Sequence, residues 1–315
     1  MAHVILFEHA QFHGQHKHVF GPEPNLNAGD DNYFNDKVSS LVVLDGNWAF
    51  FPDSGFKPQP YPPILGPGSY RNLPVGIKND DMSSLQPVDA RPTVFGEPVH
   101  SHVILFEHAN FHGAHKHVFV QERNLNAPDD SYFNDKVSSL AVLAGNWIFA
   151  ADFELMNPYP PILGPADSPL GLPAPAGFPF VEFVGIKNDD MSSLAPVSMN
   201  PTVRSPRVEH VLLFEHANFH GAHKHVLVAE PNLNAPDDNF FNDKVSSFVI
   251  LNGEWDFFRD WQFQNAYPSG HLFPGTYPFV GDVGIKNDDM SSLLPDSFAF
   301  VTGWFSGLGP GRTTS

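Results

Sequence analysis

The sequence contains no cysteine among its 315 residues. A chain without thiols cannot form a disulfide framework, a cysteine-ligated zinc ribbon or a thiol nucleophile, so these classes of protein are excluded. Basic residues are also scarce, since 17 Lys and Arg stand against 35 Asp and Glu and give a formal net charge of −18. This balance argues against nucleic acid and anionic membrane surfaces as partners, and it leaves cations, basic proteins or solubility as reasons for the charge.

Long apolar runs and catalytic motifs are missing as well. No apolar stretch approaches the roughly 20 residues that span a bilayer, so no membrane insertion is expected. The first residues, MAHVILFEHAQF, lack the basic start of a signal peptide, which leaves the compartment open between the cytoplasm and secretion after processing. No Gly-x-Ser-x-Gly, His-Glu-x-x-His, phosphate-binding loop or dinucleotide fingerprint is found, so the sequence predicts a non-enzymatic protein.

One module occurs three times along the chain. The segment HVILFEHAQFHGQHKHVF at His3 returns as near-copies at His102 and His210. Each copy is followed by the blocks FNDKVSS and VGIKNDDMSSL. Within the first module the Asn-Asp-x-x-Ser-Ser pattern begins at Asn35 and again at Asn79, so each module is predicted to contain two half-units. Near-identical copies favour a stoichiometric role such as binding or packing over catalysis.

The repeats predict three domains, at residues 1–88, 102–197 and 210–297. Residues 89–101 and 198–209 contain Pro among mixed polar residues, which is typical of semi-extended linkers. The second module carries an insertion at about residues 169–180, rich in Pro, Gly and Ala, which is predicted to be a long surface loop. Residues 298–315 form an apolar tail that is expected to pack on the third domain, to self-associate or to dock a protein partner.

The local pattern predicts an all-β fold. Residues 4–7, 17–20 and 40–44 are β-branched or aromatic runs, separated by Gly, Pro or Asn-Asp every 8 to 12 residues as in sandwiches and barrels. Gly14, Gly113 and Gly221 are expected in the tight turn of a hairpin, where a positive φ is tolerated by glycine. Asn157 and Asn265 are expected to adopt the left-handed region in the corresponding second-half hairpins.

These motifs together resemble the βγ-crystallin superfamily, and in particular its calcium-binding, microbial-type members. The resemblance is carried by the aromatic-x4-Phe-x-Gly hairpin at Phe7, Phe12 and Gly14, followed by Asn-Asp-x-x-Ser-Ser blocks in all six half-units. It covers nearly the whole chain, but the second-half hairpins depart from it, since Gly is replaced there and Ala150 takes an aromatic position. The resemblance implies an all-β fold of three tandem βγ-crystallin-like domains, in which two Greek-key motifs form an antiparallel β-sandwich.

The resemblance also implies about two Ca²⁺ sites in each domain. In calcium-binding members the motif supplies the side chain of its second residue, the carbonyl of its third and the hydroxyl of its fifth, while the opposing hairpin adds a carbonyl. Carried over to this chain, some of these residues would act through their carbonyl oxygens alone. They are the hairpin residues Glu8, Glu107 and Glu215 and the third residues of the motifs, Lys37, Lys136, Lys244, Asp81, Asp190 and Asp289. The implied ligands are Glu8, Asp36, Lys37, Ser39, Asp80, Asp81 and Ser83 in the first module, Glu107, Asp135, Lys136, Ser138, Asp189, Asp190 and Ser192 in the second, and Glu215, Asp243, Lys244, Ser246, Asp288, Asp289 and Ser291 in the third.

Hard oxygen donors of this kind suit calcium, which takes six to eight of them. The alternative is that Asn-Asp-x-x-Ser-Ser is only a turn whose side chains bond the local backbone. Six copies with every acidic and hydroxyl position intact favour calcium. The main hypothesis is therefore a non-enzymatic calcium-binding protein that gains stability from the ion and has a structural or stress-related role. A recognition module that binds carbohydrate or a cell surface through its loops is the alternative.

Histidine is abundant, and 15 of the 17 histidines recur with the modules. Residues two apart in a strand share a face, so His115 and His117 are expected to point the same way. Such pairs could bind Zn²⁺, Ni²⁺ or Cu²⁺ through imidazole nitrogens. The alternative interpretation is a solvated hairpin face, multiplied by duplication.

Overall fold

A computed structural model describes residues 1–29, 34–127, 133–167, 173–204, 207–235 and 241–296. Over these residues the protein consists of β-strands, turns and short 3-10 segments, and it has no α-helix. Nowhere in the described part is there a helix that is long and apolar enough to cross a membrane. The predicted apolar tail, residues 298–315, lies outside the described residues.

The strands follow the repeats. Those of the first repeat are β1 (His3–Phe7), β2 (His16–Val19), β3 (Ser40–Asp45), β4 (Trp48–Phe51), β5 (Gly68–Tyr70) and β6 (Ser84–Pro87). Those of the second are β7 (His102–His108), β8 (His112–Val118), β9 (Ser139–Ala144), β10 (Asn146–Ala150), β11 (Leu163–Gly164), β12 (Ala166–Asp167), β13 (Pro173–Ala174), β14 (Ala176–Phe178), β15 (Ser193–Val197) and β16 (Val203–Arg204). Those of the third are β17 (His210–His216), β18 (His220–Val226), β19 (Ser247–Asn252), β20 (Trp255–Asp260), β21 (Gln264–Ala266), β22 (Gly275–Tyr277) and β23 (Ser292–Pro295).

Short 3-10 segments occur at the tips of hairpins and before the second motif. They span Ala10–Phe12, Ala109–Phe111, Phe153–Leu155, Val181–Val184, Ala217–Phe219 and Val280–Val283.

In each repeat two antiparallel sheets face each other. The first sheet has four strands, in the orders β2-β1-β3-β5, β8-β7-β9-β14 and β18-β17-β19-β22. Its last strand comes from the second half of the repeat. The second sheet is built around β4-β6, β15-β10-β11-β16 and β21-β20-β23. This exchange of a strand between halves is the tandem Greek-key arrangement that the sequence predicted.

Each repeat has its own hydrophobic core between the two sheets. Equivalent tryptophans, Trp48, Trp147 and Trp255, are fully buried, one in each core. Much of the abundant phenylalanine fills these cores or the contacts between repeats. Removal of such large apolar surfaces from water supplies the main driving force for folding.

The insertion in the second repeat differs from the prediction at its C-terminal end. Residues 176–178 were assigned to a surface loop, but they form β14, which pairs with β9 and buries Ala176 and Phe178. Phe178 thereby occupies the place of Tyr70 and Tyr277 at the end of the first sheet. A run rich in Pro, Gly and Ala conceals this strand, because its pairing partner is about 35 residues away in sequence. Residues 168–172 lie outside the described part of the chain.

The segments between repeats run along the edges of the sandwiches. Val94 bridges Leu65 in parallel, and β16 pairs with β11 in the same way. The Tyr70 hydroxyl donates to the carbonyl oxygen of Val94 at 3.0 Å. At these described residues both segments are extended and contribute hydrogen bonds to the preceding repeat.

Candidate metal centre

The histidines of each repeat are presented by the first hairpin. Its turn contains Gly14, Gly113 or Gly221, with φ of 77°, 78° and 80°, as the sequence predicted. At Gly113 a Cβ atom would lie only 2.7 Å from Cδ2 of His108, so glycine is required there for space as well as for φ. After this glycine, β2, β8 and β18 each carry a His-Lys-His run, in which two histidines are separated by one lysine.

The three hairpins converge, so that these histidines meet between the repeats. We call His16, His115 and His223 the outer triad, and His18, His117 and His225 the inner triad. In the outer triad the Nε2 atoms are 3.1 Å apart for His16–His115, 3.2 Å for His16–His223 and 3.1 Å for His115–His223. In the inner triad Nε2 of His117 lies 3.4 Å from that of His18 and 3.3 Å from that of His225. Six imidazoles from three repeats therefore point at one axis.

Three further histidines stand behind the inner triad. Nε2 of His3, His102 and His210 lies 2.9, 2.8 and 2.7 Å from Nδ1 of His18, His117 and His225, respectively. We call these the backing histidines. Because they occupy Nδ1 of each inner ring, they orient Nε2 of that ring towards the axis. Ligating histidines in metalloproteins are commonly oriented by a partner on the other ring nitrogen.

All nine histidines are held in the neutral form. Burial lowers the pKa of His3, His102 and His210 to about 3, and that of His223 to about 4. Burial, reinforced by neighbouring histidines, also holds the pKa of the remaining five members well below 6.5. Neutral imidazole is the form that binds metal ions, since a protonated ring has no free lone pair.

A triangle of neutral imidazoles cannot satisfy its own hydrogen bonds. Each Nε2 is either a donor or an acceptor. Among three such atoms two must therefore share the same role, and that pair repels at a separation of 3.1–3.2 Å. A cation at the centre removes the conflict because it accepts the lone pairs of all three atoms.

A ring of histidine–glutamate contacts surrounds the triads. Nε2 of His13 is 2.8 Å from Oε2 of Glu122, His112 is 2.7 Å from Glu230, and His220 is 2.8 Å from Glu23. We call these the clasp pairs. They run from the first repeat to the second, from the second to the third, and from the third back to the first. The contact is therefore head-to-tail and closes on itself, as in a cyclic trimer.

Apolar contacts follow the same ring. Phe119 of the second repeat packs edge-on against Phe7 and Phe12 of the first. Phe20 packs against Phe214 and Phe219 of the third repeat, and Leu227 joins the cluster of Phe106 and Phe111. The hairpins are consequently fixed in place by buried surface, and the triads are held by a rigid frame.

A cavity of about 620 Å³ opens in front of the outer triad. His16, His115 and His223 line it together with Gln15, Glu107 and Lys136. The outer histidines are partly buried, whereas the inner ones are 2% exposed. An ion can therefore approach the triads from the outer side.

The first predicted calcium motif of each repeat leads into β3, β9 or β19, whose first residue pairs with the hairpin end of β1, β7 or β17. The structure places members of the two motifs of a repeat next to each other. The Ser39 hydroxyl donates to Oδ1 of Asp80 at 3.1 Å, and the equivalent pairs Ser138–Asp189 and Ser246–Asp288 are both at 3.2 Å. The reciprocal contact, from Ser83 to Asp36, is 3.5 Å.

The second residue of each motif is an Asp with positive φ, between 51° and 53° at all six positions. This backbone turn aims the carboxylate across to the other motif. Burial raises the pKa of Asp135 and Asp243, with the nearby carboxylates of Asp190 and Asp289 adding to the effect. A cation placed beside these carboxylates would reverse that shift.

Other predicted ligands already have side-chain partners. The carboxylates of Asp81, Asp190 and Asp289 accept from Lys78, Lys187 and Lys286 at 2.6, 2.7 and 2.8 Å. They also accept from the hydroxyls of Tyr61, Tyr159 and Tyr267. Lys37 and Lys244 lie 3.9 Å from Glu8 and Glu215. These side chains are therefore engaged, and the carbonyl oxygens of Asp81, Asp190 and Asp289 also accept from the same tyrosine hydroxyls.

The remaining implied ligands occupy equivalent places in their repeats. Glu107 and Lys136 line the cavity of the outer triad. Ser192 and Ser291 are placed like Ser83. Their backbone N–H groups donate to carbonyl oxygens of β10 and β20, as that of Ser83 donates to β4. The complete ligand set for calcium stays a prediction.

Comparison with known proteins agrees with this architecture. The family model described as Beta/Gamma crystallin matches residues 3–88 and 210–295. The chain belongs to the beta/gamma crystallin family. A beta/gamma-crystallin of Ciona intestinalis is 36% identical over 83 residues, which cover 26% of this chain and 93% of that protein. The family match covers the first and third repeats, and the second repeat is similar to them in sequence.

Two further relatives differ in how much of them is covered. Beta-crystallin B1 of Rattus norvegicus is 28% identical over 148 residues, or 46% of this chain and 54% of that protein, so the matched region spans about half of this relative. A solved structure described as a transition-metal-ion-binding betagamma-crystallin from Methanosaeta thermophila is 35% identical, covers 27% of this chain and 99% of that one, and has a TM-score of 0.25.

The main correction to the sequence interpretation concerns the environment of the histidine hairpins in this crystallin-family chain. A solvated hairpin face was one expectation, but the structure buries these histidines between the repeats. His115 and His117 do point the same way, as predicted. Sequence reasoning identified His16, His18 and their counterparts as candidates, but it gave no role to the backing histidines. The sequence did contain a signal for them, because a histidine recurs seven residues before each hairpin tip.

Proposed function

We propose that this crystallin-family protein binds a transition-metal ion at the triads and uses it in a structural or stress-related role. The outer triad carries the proposal. Zn–N bonds of about 2.0–2.1 Å place tetrahedral ligand nitrogens about 3.3 Å apart, and octahedral ones about 3.0 Å apart. The observed Nε2 separations of 3.1–3.2 Å lie between these values. Imidazole nitrogens suit Zn²⁺, Ni²⁺, Cu²⁺ and Fe²⁺.

The ion would link the three repeats, because each repeat supplies one ligand of the outer triad. Its binding energy therefore adds to the stability of the assembled ring. An ion bound only by the native state contributes about 2.7 kcal/mol at a hundredfold excess over its dissociation constant. No step of catalysis is needed for this role.

Thermal unfolding with Ni²⁺ or Zn²⁺, and with EDTA, tests the proposal. We expect a higher midpoint with the ion, and loss of this increase when His16, His115 and His223 are all replaced by Gln. A matched control replaces the exposed His9, His100 and His108 by Gln, and it should keep the increase. Equal midpoints in the ion and in EDTA, with no ion bound by calorimetry, would contradict the proposal.

We infer calcium binding as a second candidate function, supported by the Ser-to-Asp contacts between the two motifs of each repeat. In these contacts a hydroxyl oxygen lies 3.1–3.2 Å from a carboxylate oxygen. Two oxygens at this separation could both bind one Ca²⁺, an ion that prefers oxygen ligands. The ion would offset the carboxylate repulsion that raises the pKa of Asp135 and Asp243.

The variant with Gln at all three outer-triad positions distinguishes calcium binding from transition-metal binding. Calcium should still raise its unfolding midpoint, and Asp80→Asn should remove about one bound Ca²⁺ per chain in native mass spectrometry. The exposed Asp89→Asn serves as the control. An unchanged midpoint in calcium would reject this candidate and leave the transition-metal proposal intact.

A further inference from the structure

We propose that residues 298–308, in the C-terminal tail of this chain, pair with the open edge of β22 and cover Phe219 in the third repeat. We call these residues the covering segment. They lie outside the described part of the chain, whereas the surface that receives them is described. The first two repeats show what that surface needs, because the segment after each of them lies on the equivalent strand. The contact does not depend on an ion at the triads.

In the first two repeats a linker covers the last strand of the first sheet. The N–H of Ser69 in β5 donates to the carbonyl oxygen of Glu97 at 2.7 Å, and the N–H of Glu97 donates back to Ser69 at 3.1 Å. Ala176 in β14 forms an antiparallel bridge with Arg207, and the N–H of Val208 donates to the residue before β14 at 3.0 Å. The linker therefore extends this edge of both sheets.

The same strand of the third repeat is open. β22 is the last strand of its sheet, and no segment of the described chain pairs with its outer edge. All three residues of β5 and of β14 are buried, whereas Gly275 and Tyr277 in β22 are partly buried and Thr276 is exposed. Unpaired N–H and C=O groups at a sheet edge are a template for another strand, and proteins ordinarily cover or blunt such an edge. The third repeat thus exposes the edge that the other two repeats bury.

A second difference lies at the tip of the neighbouring hairpin. Phe12 and Phe111 are 2% exposed, but their counterpart Phe219 is only partly buried. A linker valine belongs to the apolar cluster of each of the first two rings, namely Val99 and Val208. Within the described chain, the cluster of Phe219 contains no residue from a segment that follows its repeat. Phe219 therefore lacks an apolar cover that both of its counterparts have.

The chain itself supplies a segment of suitable length and composition. In both linkers the covering valine, Val99 or Val208, follows the last serine of the preceding motif by 15 residues. The same interval after Ser292 reaches Gly307, and 23 residues follow Ser292 in all. A covalently linked segment meets its site at a high effective concentration, which favours it over a second copy of the chain. The apolar side chains available are Phe298, Phe300, Val301, Trp304, Phe305 and Leu308.

The third repeat differs from the other two at one point beside this edge. At Gly66 and Gly164 an added Cβ atom would lie 2.9 and 2.7 Å from the Cβ atom of a linker proline. Phe273 stands at this position in the third repeat, since Leu272 bridges Trp255 as Leu65 bridges Trp48. A segment cannot pass as closely there, so the covered surface is β22 with Phe219 and does not include Phe273.

Hydrogen exchange, measured by NMR on the full chain and on a variant that ends at Asp296, tests this contact. We expect the N–H of Thr276, which has the place of Ser69, to exchange at least about tenfold more slowly in the full chain. The N–H of Ser69 is the internal control and should exchange equally in both proteins. Equal exchange of Thr276 in the two proteins would overturn the proposal. Slow exchange that is lost on dilution would also overturn it, because a second copy would then occupy β22.

A charge-matched pair of full-length variants decides the matter if the shortened chain fails to fold. Trp304→Asp/Phe305→Asp places two carboxylates in the covering segment, and Thr313→Asp/Thr314→Asp places two beyond it. We expect the first variant to exchange the N–H of Thr276 at least about tenfold faster than the wild type, and the second to resemble the wild type. Unchanged exchange in both variants would show that the covering segment does not lie on β22.

Discussion

At the scale of single residues, histidine has three distinct roles that depend on its place in the hairpin. His16 and His18, two positions apart, face the axis, His3 on the neighbouring strand orients a ring, and His13 at the turn reaches Glu122 of the next repeat. The sequence shows only that these residues recur. Their division into ligands, backing groups and clasps follows from strand pairing and from the neighbouring repeat.

The clasp pairs make stability depend on pH. Burial alone would raise the pKa of Glu230, but its contacts with His112 and Lys224 hold that pKa below its ordinary value of 4.5. The same holds for Glu122 with His13. Because the folded pKa is depressed, this contribution to stability is fully present above about pH 4.5 and is lost as the pH falls through the folded pKa.

We therefore expect Glu230→Gln to lower the free energy of unfolding by about 3 kcal/mol at pH 7, as removal of one member of a buried ion pair does. The difference from wild type should shrink below pH 4.5. Urea unfolding over this range measures it, with the exposed Glu254→Gln as a control. If the difference in unfolding free energy between wild type and Glu230→Gln stays constant down to pH 3, the ionised carboxylate of Glu230 does not stabilise the fold.

At the scale of the element, each hairpin is secured by the second serine of the first motif. The Ser139 hydroxyl donates to the carbonyl oxygen of His108 at 2.6 Å and accepts from the N–H of Phe111 at 2.9 Å. Ser40 and Ser247 make the same contacts. The motif thus stabilises the hairpin that carries the histidines, which is a structural reason for its serine beside the implied calcium ligands.

Ser139→Ala should leave the carbonyl of His108 and the N–H of Phe111 without this partner. Buried groups left unsatisfied cost about 1–3 kcal/mol, so we expect a loss of that size in chemical denaturation. Ser198→Ala, at an exposed position, should change stability by less than about 0.5 kcal/mol. Equal effects of the two substitutions would show that the hydroxyl does not secure the hairpin.

At the scale of the whole molecule, three covalently linked repeats reproduce a cyclic trimer. The hairpin of one repeat meets the segment after the hairpin of the next, through the clasp pairs and the aromatic contacts. This interface assembles the triads, so the candidate metal centre is complete only when all three repeats are in place.

Phe119→Ala removes an aromatic ring packed against Phe7 and Phe12 in this interface. Truncation of a buried Phe costs about 3–5 kcal/mol. We expect a loss in that range together with weaker metal binding, because the first and second hairpins separate. Phe273, which is 57% exposed, provides the control substitution. A stable variant with unchanged metal affinity would show that the interface is not needed to assemble the triads.

Local pattern was sufficient to predict the repeats, the hairpin turns, the motif residues and the strands at residues 4–7, 17–20 and 40–44. Asn157 and Asn265 have φ of 50° and 53°, as their residue type predicted. These features depend on local pattern and on backbone conformation. The strand at residues 176–178 was missed because long-range pairing with β9 stabilises it against its local composition.

The directions in which the histidines point depend on contacts between the repeats. Residues that are about 100 positions apart in the sequence meet at 3.1 Å because three hairpins close into a ring. Closure depends on the shape of the surfaces between repeats, which is a property of folded sandwiches and not of any short segment. Repetition in the sequence supplied three equal sets of histidines, and the ring brought them to a common axis.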